Sequence, residues 1–149
     1  MRCAAWLVLF ATLGQAACHN EPLLAPETLP PDSDIAVDFR TDQSQYRVGA
    51  TSAKTVMVNH STNTLTMGVC NDALELRVTG GWHEMRRSVA IACIALAVVV
   101  PPGDSVSLSL DLSPATKVGT YRVRRFFSVV QGSSSTTMYR RTNTFTMVR

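Results

Sequence analysis

Apolar and polar residues alternate with a period of two along much of this chain, in short runs interrupted by Gly, Pro, Asn and Asp. That period belongs to half-buried strands, since successive side chains of a strand point to opposite faces. The cleanest run is Ser105 to Leu112. Val106, Leu108, Leu110 and Leu112 fall on one face, and Ser105, Ser107, Ser109 and Asp111 on the other. Ile35 to Thr41 alternates likewise, with Ile35, Val37 and Phe39 together. Thr51 to Asn59 places Val56 and Val58 on one face. Leu65 to Asn71 puts Leu65, Met67 and Val69 on one side and Cys70 on the other. Leu74 to Thr79 and Trp82 to Arg86 read as a hairpin closed at Gly80-Gly81, where glycine supplies the positive φ of a tight turn. Ser88 to Val100 is the most apolar run beyond the N-terminus. It is too short to cross a bilayer, and it predicts one buried strand or two strands with a kink, with a short helix over Ala90 to Ala97 as the alternative. Pro101-Pro102-Gly103-Asp104 is a turn. A long strand from Gly119 through Val130, a loose loop over Gln131 to Ser135 and a last strand from Thr136 to Val148 complete the series. Seven to nine strands at this spacing predict an all-β, antiparallel two-sheet sandwich.

The first residues do not belong to that domain. Arg2 gives a positive start, Cys3 to Leu13 are continuously apolar, and Gly14, Gln15, Ala16 and Ala17 lead to Cys18. Residues 1–17 therefore read as a signal peptide. Ala16-Ala17-Cys18 resembles a bacterial lipobox, departing from it at Gln15, where a leucine-like residue is usual. The resemblance implies a lipid anchor on Cys18 and hence an exported protein of the bacterial cell envelope. A plain secretory cut after Ala16 or Ala17, giving a soluble secreted or periplasmic protein, is the alternative. Cysteine arithmetic bears on the choice. Cys3 leaves with the signal, and a lipid on Cys18 leaves Cys70 and Cys93 as a pair, whereas an unlipidated Cys18 leaves an odd thiol in an oxidising compartment.

Residues 18–34 form a linker. Pro22, Pro26, Pro30 and Pro31 exclude helix and central strand and favour an extended spacer. The folded domain is expected over residues 35–149, about 115 residues, enough for one core. Charge divides a little further along, between Gln43 and Ser44. From His19 to Gln43 there are six acids and one base; from Ser44 to Arg149 there are twelve bases and five acids. An acidic tether thus carries a basic domain.

Several marks recur in a familiar order. Tyr46-Arg47-Val48-Gly49 precedes a strand ending at Asn59-His60-Ser61; Cys70, Gly81-Trp82 and Cys93 follow; Pro101-Pro102-Gly103-Asp104-Ser105 opens an alternating strand. Gly119-Thr120-Tyr121-Arg122-Val123-Arg124 opens the next, and Asn143-Thr144-Phe145-Thr146-Met147 closes the chain. This order resembles the bacterial immunoglobulin-like domains of secreted proteins and lipoproteins and, more distantly, the domain of the bacterial intracellular proteinase inhibitor family. The resemblance covers roughly Phe39 to Val148 and implies an immunoglobulin-like sandwich, not a reaction. Within it Tyr121 resembles a tyrosine corner, whose hydroxyl bonds back to the main chain.

Candidate sites follow from residue chemistry. In an exported domain Cys70 and Cys93 are expected to form a disulfide, closing a loop of about two dozen residues and stabilising the fold by about 3 kcal/mol. A metal site combining them with His60 and His83 lacks the close ligand spacing of structural zinc, so no metal and no cofactor are expected. Trp82 is a platform for stacking a sugar or, alternatively, a cover for the domain edge. Arg122 and Arg124 share one strand face, and Arg140 and Arg141 fall on the returning strand. Together they offer a cationic stripe to an anionic glycan, a lipid headgroup or an acidic protein, or simply a solvated face that blunts edge pairing. Nucleic acid is not expected as a partner of an exported chain with few aromatics between its charges. No nucleophile elbow, phosphate loop or Ser-His-Asp arrangement is present. The sequence thus predicts a non-enzymatic envelope module that binds an unknown protein or glycan. The alternatives are a protease inhibitor presenting the Gln131 to Ser135 loop and a small carbohydrate-binding domain.

Overall fold

The computed structural model describes residues 32–69, 72–85 and 96–149. The signal segment, Cys18 and most of the linker lie outside the described residues, as do both cysteines of the expected bridge, Cys70 and Cys93, and most of the apolar run before Val100.

The described chain is built of strands, with no helix. In order these are β1 (Val37–Thr41), β2 (Gln45–Arg47), β3 (Ser52–Asn59), β4 (Thr64–Gly68), β5 (Asp72–Val78) and β6 (Gly81–Met85). They continue with β7 (Ala97–Val100), β8 (Ser105–Asp111), β9 (Gly119–Gln131), β10 (Ser134–Arg141) and β11 (Phe145–Val148). A small sheet has the order β1-β3-β8. A large sheet has the order β2-β11-β9-β4-β7, with β10 against β9, β5 also against β9, and β6 beyond β5. All described pairings are antiparallel except β2 with β11.

β9 is the spine. Its alternation puts Tyr121, Val123, Arg125, Phe127 and Val129 on the buried face, each at most 1% exposed. Tyr121 pairs with Phe145 of β11 on one side and with Leu76 of β5 on the other. Farther along, Val129 pairs with Thr136 of β10 and with Leu65 of β4. The facing layer comes from the small sheet: Val37 and Phe39 of β1, Met57 of β3 and Leu110 of β8 are all buried. Apolar inner faces on two separate sheets, packed against each other, make a sandwich. Tyr46 meets Phe145 edge-on at 5.2 Å between ring centroids, and Tyr121 stacks on Phe145 at 5.9 Å.

Several elements differ from expectation. The final segment is two strands, because Arg124 pairs with Arg141 and Tyr121 with Phe145, leaving three residues opposite two. This is a bulge, and Thr142 holds it together: its N–H donates to the Val123 carbonyl at 2.8 Å and its Oγ1 accepts from the Val123 N–H at 3.0 Å. The β5–β6 turn is Thr79-Gly80 and not Gly80-Gly81, since Val78 pairs with Gly81; Gly80 carries the positive φ of 93°. The loop after β9 is a tight Gly132-Ser133 turn, with Gln131 paired to Ser134 and Gly132 at φ 60°. In the apolar run, the described strand β7 is not fully buried. It has β4 as its sheet partner, and Val99 is 59% exposed while Val100 is 2% exposed. In β3 the core side is Thr55, Met57 and Asn59, and Val56 and Val58 share the other face.

Candidate functional site

The outer face of the large sheet gathers the polar and aromatic residues. Register fixes its membership, because directly paired residues project from the same side. Glu75 stands opposite both Glu84 and Arg122, and Arg77 opposite Trp82. Arg124 stands opposite Arg141, and Phe126 opposite Tyr139. One face thus carries Trp82, Arg77, Glu75, Arg122, Arg124, Phe126, Tyr139 and Arg141 across four strands.

Glu75 is the centre. Its side chain is fully buried. Arg122 Nε donates to Oε2 at 2.6 Å. Arg124 Nε lies 3.3 Å from Oε1, and Arg141 Nε 3.7 Å from Oε2. The second and third are ion pairs without hydrogen-bond geometry, and Oε1 has no hydrogen bond. Two further acids hold the rim: Glu84 accepts from Arg124 Nη2 at 2.5 Å, and Asp32 from Arg141 Nη1 at 2.6 Å. Three guanidiniums therefore meet three carboxylates. The arrangement fixes the arginines in place, and their side chains are 9–18% exposed. Their guanidiniums lie over aromatic rings. The Arg122 guanidinium sits 4.0 Å from the Trp82 centroid and Arg77 5.7 Å from it; Arg124 lies 5.1 Å from Phe126 and Arg141 5.0 Å from Tyr139. Such cation–π contacts stabilise partly desolvated guanidiniums.

Of the four arginines singled out in sequence, Arg122, Arg124 and Arg141 come together. Arg140 does not join them. It is paired with Arg125, hence turned to the opposite side, and its Nη1 donates to the Ser33 carbonyl at 3.0 Å. The stripe is thereby a cluster of three, organised by an acid the sequence reading did not single out. Gly80 and Gly81 hold the hairpin that sets Trp82 beside Arg77. Tyr121 is fully buried, and its hydroxyl donates to the Lys117 carbonyl at 2.9 Å. Burial pushes its pKa up.

Arg125 and Asp72 also went unnoticed. Arg125 is fully buried on the core side of β9 and makes a two-pronged pair with the Asp72 carboxylate, whose side chain is 2% exposed. Phe39 lies 5.5 Å away, and Arg125 Nη1 is 3.7 Å from the Met67 sulfur. The available signal was parity: Arg125 shares its phase with Tyr121, Val123, Phe127 and Val129. Among the described residues no three His, Cys, Asp or Glu side chains cluster as metal ligands.

An all-β two-sheet sandwich of immunoglobulin-like type, carrying a charge-ordered outer face, defines the class of this molecule. The model of the bacterial Ig-like domain family matches residues 33–146, and the chain belongs to that family. Family members are binding or structural modules, usually extracellular or surface-displayed and typically non-catalytic. Two solved structures are similar to it at the level of backbone. One is a β-glucosidase from Listeria innocua in complex with glucose, at 10% identity and TM-score 0.34, covering 80% of this chain and 17% of that one. The other is a protein from Archaeoglobus fulgidus, at 14% identity and TM-score 0.28, covering 76% and 97%. No curated protein matches the sequence.

Proposed function

We propose that this chain is a non-catalytic, lipid-anchored protein of the bacterial cell envelope. In this reading Cys18 carries the lipid, the proline-rich segment holds the domain off the membrane, and the outer face of the large sheet meets a protein partner. The observation that carries the reading is the arginine–aromatic face around Glu75. Arginine and aromatic residues are the types that dominate binding hot spots, and fixing them before contact lowers the entropy cost of association.

A glycan partner is the second reading, favoured by Trp82 at the edge of that face. Its indole carries the Arg122 guanidinium at 4.0 Å and Arg77 at 5.7 Å, and an aromatic ring flanked by cations suits an anionic sugar. Protease inhibition gains little support. The Gly132-Ser133 turn is two residues long and offers no extended backbone to an active site.

The test is comparative. Wild type, Trp82→Ala and Arg122→Ala are used as bait on native membranes with crosslinking, and in parallel on peptidoglycan resin. A partner retained by wild type and lost with either variant supports the protein reading; resin retention that falls in Trp82→Ala supports the glycan. Retention unchanged in both variants contradicts the proposed face. The anchor is tested by mass: Cys18→Ala is expected to lose acyl incorporation and leave the membrane fraction, and unchanged membrane association contradicts it.

A further inference from the structure

A second surface lies where β1 leaves the small sheet. The β1–β3 ladder ends at Thr41 and Thr55, and the chain then crosses to the large sheet as β2. Ser52 to Lys54 of β3 keep β8 on one side but have lost β1 on the other, apart from the bond from Asp42 N–H to the Lys54 carbonyl. An open groove of about 920 Å³ fills the space between this part of β3 and β2.

Main-chain direction on both walls suits an extended visitor. In β3 the Thr51 carbonyl accepts from Leu112, on the β8 side, while the Lys54 carbonyl accepts from Asp42. Strand alternation therefore turns the N–H and C=O of Ser52 toward the groove. In β2 the Ser44 carbonyl and the Val48 N–H bond to β11. The main-chain groups of Gln45 and the N–H of Arg47 accordingly face away from β11, along the free edge of the large sheet.

Charge selects the visitor. The groove is lined by Arg47, Lys54 and Arg149, which form no ion pair among the described residues. Its lining includes a single acid, Asp42. Asp42 Oδ1 is engaged by the Tyr46 hydroxyl at 2.6 Å and lies 3.3 Å from the Lys54 N–H. We infer that this groove takes an acidic, extended peptide segment of a partner protein, adding it as a short strand at the edge of β2, with its carboxylates on Arg47, Lys54 and Arg149. Main-chain bonds would give affinity and the three cations selectivity for acidic sequence.

The inference does not depend on the arginine–aromatic face. Its probe is a fluorescein-labelled seven-residue peptide of alternating threonine and glutamate, titrated into the full chain and read by anisotropy. The expected result is saturable binding that weakens with added salt, falls at least tenfold in Arg47→Glu/Lys54→Glu, and falls comparably when alternate peptide amides are N-methylated. Trp82→Ala is expected to leave it unchanged, which separates this surface from the outer face. Arg149→Glu serves as an independent variant should the double substitution disturb the fold by circular dichroism. Equal binding of a peptide with lysine in place of glutamate would overturn the inference. So would full affinity in the charge-reversed variants, or binding to anionic lipid vesicles but not to the peptide.

Discussion

Arg125 shows what a single residue can do inside a sandwich. A guanidinium on the core face of β9 is tolerated because Asp72 answers it with both carboxylate oxygens and Phe39 lies against it. Removing one partner leaves an uncompensated buried charge. Asp72→Ala is therefore expected to cost about 3–5 kcal/mol in urea unfolding, while the joint replacement Asp72→Leu/Arg125→Met is expected to return near wild-type stability or exceed it. An equal loss in single and double variants would contradict this account of the pair. The strand phase of Arg125 was legible in sequence, but its partner was not. Asp72 lies 53 residues away, and only the β5–β9 register brings them opposite. Glu75 was hidden for the same reason: nothing local distinguishes it from a solvated strand carboxylate. Tyr46 gives a residue-level pH signature. Burial, then its hydrogen bond to Asp42, raises its pKa from 10.0 to about 12. The unfolded chain gives up this proton first, so the contribution is complete below pH 10 and is lost as pH rises from 10 to about 12. Tyr46→Phe is expected to flatten the decline of unfolding free energy across that window; an unchanged slope would contradict the assignment.

At the scale of elements, the alternation of Ser105 to Leu112 was the most legible feature. The structure makes it strand β8, Ser105–Asp111, with Leu110 buried near its end, Leu112 buried just after it, and Val106 and Leu108 only partly covered. Legibility failed where the period breaks without a glycine or proline to mark it. The bulge between β10 and β11 is carried by Thr142, an ordinary strand residue by propensity, whose side chain stands in for a ladder acceptor. Thr142→Val retains the shape and removes that oxygen, leaving the Val123 N–H buried and unpaired. The expected cost is about 1–3 kcal/mol, with faster hydrogen exchange at Val123. Undiminished stability and protection would mean that the bulge does not depend on this bond. The β5–β6 turn failed differently. Two adjacent glycines at 80 and 81 leave the place of the turn open by one residue, and moving a two-residue turn by one shifts the cross-strand pairing by two, which keeps every face and changes every partner. Pairing Val78 with Gly81 sets Trp82 directly opposite Arg77, where a Gly80-Gly81 turn would have set it opposite Thr79 on the same face.

For the molecule as a whole, the division between an acidic N-terminal stretch and a basic domain takes structural form at Asp32 and Ser33. Asp32 pairs with Arg141, and Ser33 exchanges bonds with the main chain of Tyr139. The entry of the chain into the domain is thus tied to β10, next to the arginine–aromatic face. Composition made the class of fold legible, since Val, Thr and Ser in short runs leave little but strands. It did not make the working surface legible, because Arg122, Arg124 and Arg141 read as a free cationic stripe until Glu75, Glu84 and Asp32 are set among them. The most direct test of that surface is site-specific photocrosslinking in native membranes, with the crosslinker placed once at position 77, exposed on the outer face of the large sheet opposite Trp82, and once at position 38 on the small sheet. A discrete adduct is expected from position 77 that is lost when Arg122→Ala is added, and none from position 38. Adducts of equal yield from both positions, or from position 38 alone, would contradict it.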